Sequence, residues 1–122
     1  MTDRSWTLTV NYINGVVSLT GENGEPVDKT IYRTETDTIT FQAGTGVRSV
    51  ASLTITSPCP LPAGITVTQV NRGTNLVVTD FDNLASDAAE VDVVYCINIV
   101  DSNGNPVASD PKLINMPILR PT

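Results

Sequence analysis

The chain has 122 residues, 40% of them hydrophobic, 16% charged and 5% aromatic, and carries a net charge of −6 at neutral pH. That length suits one domain over residues 1–122 with a single aliphatic core, while the acidity opposes attraction to nucleic acid and to anionic membrane surfaces. Histidine is absent, which removes Ser-His-Asp and Cys-His nucleophile systems, histidine-ligated metals and histidine proton shuttles.

The first segment alternates, with Trp6, Leu8, Val10 and Tyr12 on one face and Thr7, Thr9 and Asn11 on the other, as a strand with one buried side does. Asn14-Gly15 is the preferred pair for a two-residue type I′ turn, because both central positions need positive φ. Such a turn sets Ile13 opposite Val16, Tyr12 opposite Val17 and Val10 opposite Leu19, so that apolar meets apolar. Gly21 to Pro26 is rich in turn residues, and Val27 to Glu35 has room for a short strand around Ile31 and Tyr32. Two core strands follow, Asp37–Ala43 with Ile39, Phe41 and Ala43 inward, and Ser49–Thr56 with Ala51, Leu53 and Ile55 inward.

Ser57 to Gly64 carries three alternating prolines and reads as a rigid crossover between sheets. Ile65–Val70 and Asn75–Thr79 form a hairpin about Asn71 to Thr74. Asp80 to Glu90 breaks the alternation and offers one helical turn with Ser86 as its cap. The closing strand Val91–Val100 places Val91, Val93, Tyr95, Ile97 and Ile99 on one face. It then turns at Asp101 to Pro106, with positive φ expected at Gly104, and returns as Lys112–Ile118. Pro111 and Pro117 mark that last strand as a sheet edge, since proline donates nothing to a ladder.

Strands at this spacing, about eight of them, are the signature of an all-β sandwich of two antiparallel sheets, with a barrel as the alternative. The run Tyr95 to Gly104 followed by Ser109-Asp110-Pro111 resembles the last hairpin of bacterial immunoglobulin-like and fibronectin-III-like domains. That resemblance implies an immunoglobulin-like Greek-key β-sandwich. Glu25-Pro26 and Asp110-Pro111 are similar to dipeptides of an uncharacterised bacterial group, the DP-EP family, which implies the same sandwich and transfers no site residues. An antibody-type pattern is missing, because Trp6 lies in the first strand rather than between Cys59 and Cys96.

What chemistry remains is that of carboxylates. Asp80, Asp82 and Glu90, with Asn83 and Asp87 between them, are candidate calcium ligands, since hard cations collect several oxygens. The plain alternative is a solvated loop in which Asp and Asn bond their own backbone. No cofactor is otherwise implied. Cys59 and Cys96 could form a disulfide outside the cell or stay free thiols inside; free thiols are the favoured reading, matching the cytoplasmic location expected of a chain with no basic-then-apolar leader or membrane-length apolar run, with export after removal of a signal as the alternative.

The opposite face of Val91–Val100 carries Asp92, Val94, Cys96, Asn98 and Val100, an apolar row for a surface open to water. Val94, Cys96 and Asn98 are therefore the candidate interface. The expected function is a non-enzymatic binding or assembly module acting through a protein partner or self-association. The alternatives are a calcium- or carbohydrate-binding accessory module using the 80–90 loop, and a small carboxylate-dependent hydrolase.

Overall fold

The computed structural model describes residues 2–21, 29–58, 61–104, 106–109 and 112–119. The described chain is all-β, running β1 (Thr2–Ile13), β2 (Val16–Gly21), β3 (Lys29–Ile31), β4 (Glu35–Ala43), β5 (Val47–Ser57), β6 (Ile65–Arg72), β7 (Asn75–Asp82), β8 (Val91–Asp101), β9 (Pro106–Ser109) and β10 (Lys112–Asn115). One sheet has the order β2-β1-β4-β7-β6, and the other β3-β10-β8-β5 with β9 also paired to β8.

The first hairpin has the register read from its sequence, including Val10 opposite Leu19 and Tyr12 opposite Val17. Asn14 and Gly15 both have positive φ, 54° and 78°, as the two-residue turn requires. Gly104 is likewise at positive φ, 87°, in the closing turn.

Both sheets are mixed rather than purely antiparallel. β1 pairs with β4 in parallel, and so does β3 with β10. The reason is the path of the chain: after the β1–β2 hairpin it crosses to the second sheet as β3 and returns as β4 alongside β1, so the two neighbours point the same way. β10 also departs from the edge position expected of it. It lies between β3 and β8, and Pro117 sits beyond its last residue, Asn115, where no ladder donor is needed. Pro111, Cys59 and the Glu25-Pro26 and Asp110-Pro111 dipeptides lie outside the described residues.

The inward residues of the two sheets meet in one core that includes Leu8, Val10, Ile39, Phe41, Leu76 and Val78 from the first and Val50, Leu53, Val93, Tyr95, Ile97 and Ile99 from the second. Phe41 and Tyr95 join them directly, ring edge to face with centroids 6.0 Å apart. β5 reaches this core with a broken period. Register shifts between Val47 and Ser49 and between Val50 and Ser52 turn Val47, Val50 and Leu53 inward and leave Ala51 exposed, contrary to simple alternation.

The turn from β4 to β5 fits closely against β1. Gly46 has φ 76°, and a Cβ there would overlap the carbonyl oxygen of Tyr12. Gly46→Ala is therefore expected to cost on the order of 3 kcal/mol of stability, combining left-handed strain with displacement of β1. Urea unfolding measures it, with Gly15→Ala separating the two terms because nothing lies within 4 Å of a Cβ at Gly15.

The free edge of β5 is closed by side chains of β6 rather than by another strand. The Gln69 amide donates to the Leu53 carbonyl and accepts from the Leu53 N–H, both at 2.8 Å. Asn71 donates to the Ala51 carbonyl at 2.9 Å, and Val50 N–H donates to the Thr74 carbonyl at 2.8 Å. These bonds occupy the edge groups through which sheets otherwise add foreign strands. Gln69→Ala should cost about 2 kcal/mol in urea unfolding and raise self-association in light scattering, whereas a variant that stays monodisperse would show that the edge is guarded elsewhere.

From β7 to β8 the chain makes a turn, closed by Ala88 N–H donating to the Ala85 carbonyl at 2.9 Å, in place of the helical turn offered by Ser86. Among the described residues no helix is long and apolar enough to cross a membrane.

Candidate functional site

Asp80 and Asp82 are strand residues. β7 runs on past Thr79 to Asp82 with unbroken alternation, so Leu76, Val78, Asp80 and Asp82 all point into the sandwich. On β4 the same parity turns Glu35, Asp37, Ile39 and Phe41 inward. The two strands are antiparallel neighbours with Asp37 directly opposite Asp80. Asp37, Asp80 and Asp82 are each 0% exposed and Glu35 is 4% exposed.

Partners reach these carboxylates from other strands. The Trp6 Nε1–H of β1 donates to Asp37 Oδ2 at 2.8 Å, with the Arg4 guanidinium 4.5 Å over the indole. From the opposite sheet, Asn115 Nδ2 of β10 donates to Asp80 Oδ2 at 3.2 Å, and Asn115 is itself 0% exposed. Asp82 Oδ1 accepts from the Leu84 N–H at 3.0 Å, while its carbonyl accepts from the Thr34 N–H at 2.6 Å. Glu35 Oε1 accepts from the Tyr32 N–H at 3.0 Å. Among the described residues, the acceptors Asp80 Oδ1 and Asn115 Oδ1 are buried with no hydrogen-bond partner, and so is the donor Arg33 Nε.

Burial is the main force on the ionisation of this group, since a charge taken out of water favours its neutral form. It pushes Asp80 from 3.8 up to about 7; the Asn115 hydrogen bond works against the rise, and the charges of Asp82 and Asp37 add to it. Asp82 is also raised by burial, against the Leu84 and Met116 amides and Arg33, with Glu35 adding to the rise.

The three sequence-derived calcium candidates are not gathered. Asp80 and Asp82 are sealed inside the strand pair, whereas Glu90 is exposed ahead of β8. Among the described residues no group of three or more His, Cys, Asp or Glu side chains is placed to hold a metal ion. Asp80 and Asp82 belong instead with Asp37, Glu35, Asn115 and Trp6, which the sequence reading left out. The signal for Glu35 and Asp37 is present in the alternation of β4, carried back toward its first residue, whereas Trp6 and Asn115 join the cluster only through the topology.

The interface candidates Val94, Cys96 and Asn98 stand on the outer face of β8, each half-buried. Asn98 Nδ2 donates to Ser52 Oγ at 3.0 Å and to Thr54 Oγ1 at 2.9 Å on the neighbouring β5. Cys96 carries a free thiol. Of the aromatic residues, Trp6 and Tyr12 pack against the core and Tyr95 lies within it, while Tyr32 is half-buried. No protein-family model matches this chain, and no curated protein matches it closely enough to count as a relative.

Proposed function

We propose that the domain is a non-enzymatic binding or assembly module that meets a protein partner or a second copy of itself through the outer face of β8. The observation that carries this reading is a contrast in access. The two carboxylates that burial raises toward neutrality, Asp80 and Asp82, are closed inside the sandwich at 0% exposure, out of reach of a substrate. The outer row of β8 from Val94 to Val100 is, by contrast, uncharged and ordered, with Asn98 held by the hydroxyls of β5. A face whose polar groups are already fixed loses little freedom on docking. We read the sandwich as immunoglobulin-like, an assignment supported by its two facing sheets and by the chain's repeated crossings between them.

Val94→Lys tests the assignment, because a lysine there puts charge at the centre of the face while the inward core of β8 is untouched. A folded monomer whose wild-type counterpart sediments as a dimer, or loses an isolated partner by about tenfold or more in affinity, is the expected result. Association unchanged by Val94→Lys moves the interface to another surface.

A further inference from the structure

We propose that β2 is a docking edge for a second copy of this chain, which adds its own β2 antiparallel about a two-fold axis at Leu19 and continues the first sheet across both copies.

The backbone groups of β1 fix which groups of β2 are free. The Tyr12 N–H donates to the Thr45 carbonyl and the Val10 carbonyl accepts from the Gly44 N–H, both at 2.8 Å, so these residues bond away from β2. The ladder between the two strands therefore runs through Thr9, Asn11 and Ile13 and their partners Thr20, Ser18 and Val16, in agreement with a two-residue turn, whose flanking residues are a hydrogen-bonded pair. The alternate residues Val17, Leu19 and Gly21 turn their N–H and carbonyl groups outward, on the side where β2 ends its sheet.

Sheet edges are ordinarily blunted by charge, proline, a bulge, shortness or a covering element. β5 is stitched to β6 through Gln69 and Asn71, so those two edges close on each other. β3 has three residues, and β9 has four and begins with Pro106. β2 has six, Val-Val-Ser-Leu-Thr-Gly, with no charge, no proline and an unshifted register against β1. Among the described residues no strand pairs with its outer side.

The pattern of the strand itself selects a second copy. Centred on Leu19, antiparallel pairing gives every outward residue a partner, Val17 with Gly21, Leu19 with Leu19 and Gly21 with Val17; centred on Ser18 or Thr20, one of them falls beyond the end of the opposite β2. The same register sets the exposed Ser18 against the partner's Thr20, a hydroxyl pair of the kind that stabilises cross-strand neighbours. Leu19, half-buried at the margin of the core, gains cover from its counterpart. Charge permits the approach: the chain carries −6, yet neither β2 nor the stretch of β1 paired with it, Leu8 to Ile13, contains a charged residue, so no like charges meet there. A single strand pair is a small contact, and the dimer is concentration-dependent rather than permanent. It lies on the first sheet, apart from the outer face of β8, and does not depend on the role given to that face.

Amide exchange of the full chain, followed residue by residue in NMR, tests the contact. Between about 50 μM and about 1 mM protein, exchange at Val17, Leu19 and Gly21 should slow by about tenfold, while Ser18 and Thr20, already bonded to β1, keep one rate. Ser18→Lys combined with Thr20→Lys places at exposed positions the charge that guards other edges; it should abolish the concentration dependence and sediment as a monomer, whereas Val94→Lys should retain the dimer. Exchange at Val17, Leu19 and Gly21 that ignores concentration overturns the proposal: fast throughout, no second copy binds the edge; slow throughout, a segment of the same chain covers it. Association lost in Val94→Lys and kept in the paired lysine variant belongs to β8 and overturns it as well. Should the lysine variant not fold, the wild-type concentration series decides alone.

Discussion

Phe41→Ala is expected to lower the free energy of unfolding by about 4 kcal/mol, the upper part of the range for deleting a buried ring. Phe41 is 0% exposed and lies on β4, the middle strand of the first sheet. Its neighbours across the ladders are Leu8 on β1 and Leu76 on β7, and its ring meets Tyr95 of the other sheet at a 67° interplanar angle. Every one of those contacts faces the void that alanine leaves. Leu8, Leu76 and Tyr95 are pinned by sheet pairing, so they move little to fill it. Phe41→Leu restores most of the volume and should cost only about 1–2 kcal/mol. Phe81 is the control: it is half-buried, with the opposite parity on β7, and Phe81→Ala should cost about 1 kcal/mol. Equal losses at the two positions in urea unfolding would mean that the core is not organised around the Phe41–Tyr95 contact.

The same residues show why parts of this fold are legible in the sequence and others are not. The β1–β2 hairpin is decided locally: Asn14-Gly15 fixes the turn, the turn fixes the register, and apolar pairs agree with it. The inward row of β8 is equally plain, because its eleven residues keep one period throughout. β5 is not legible, since three register shifts against β8 change the phase of its side chains and nothing in the alternation of Ala51, Leu53 and Ile55 announces them. Nor are the parallel pairs. Trp6 beside Ile39 and Asn115 beside Ile31 join segments far apart in the chain, where neither turn type nor spacing specifies a neighbour.

The acidic cluster is an instructive intermediate case. Leu76 and Val78 set an inward frame, and continuing it by two residues at a time puts Asp80 and Asp82 in the core. A carboxylate in such a frame ordinarily marks the end of a strand, because an isolated buried charge is costly, so sequence alone favours a loop there. What offsets the cost comes from elsewhere: an indole from β1 and an amide from the opposite sheet. Those partners become visible only once the topology is known. With histidine absent from the sequence, burial-raised carboxylates such as Asp80 are the side chains pushed toward titration near neutrality.

Stability should therefore fall as pH rises through the slightly acid range, the reverse of the trend set by salt-bridged carboxylates. The folded protein holds the Asp80 proton up to about 7, whereas the unfolded chain releases it near the ordinary aspartate value of 3.8. Between those limits the native state binds more protons than the unfolded state, which gives stability a negative slope with pH. The contribution is complete below about pH 4, is lost progressively up to about pH 7, and amounts to as much as roughly 4 kcal/mol across that window. Asp82, raised in the same direction by burial, adds to the slope. Asp80→Asn should flatten the profile, leaving the protein more stable than wild type at about pH 8 by roughly 2–4 kcal/mol and little changed at about pH 5. Guanidinium unfolding midpoints, measured for both proteins in buffers of matched ionic strength, separate this from a change in surface charge, since guanidinium screens exposed pairs and leaves a sealed carboxylate untouched. A wild-type profile that rises from about pH 5 to about pH 8, with Asp80→Asn following it in parallel, would show that Asp80 is ionised throughout and that its burial is met by donors other than a proton.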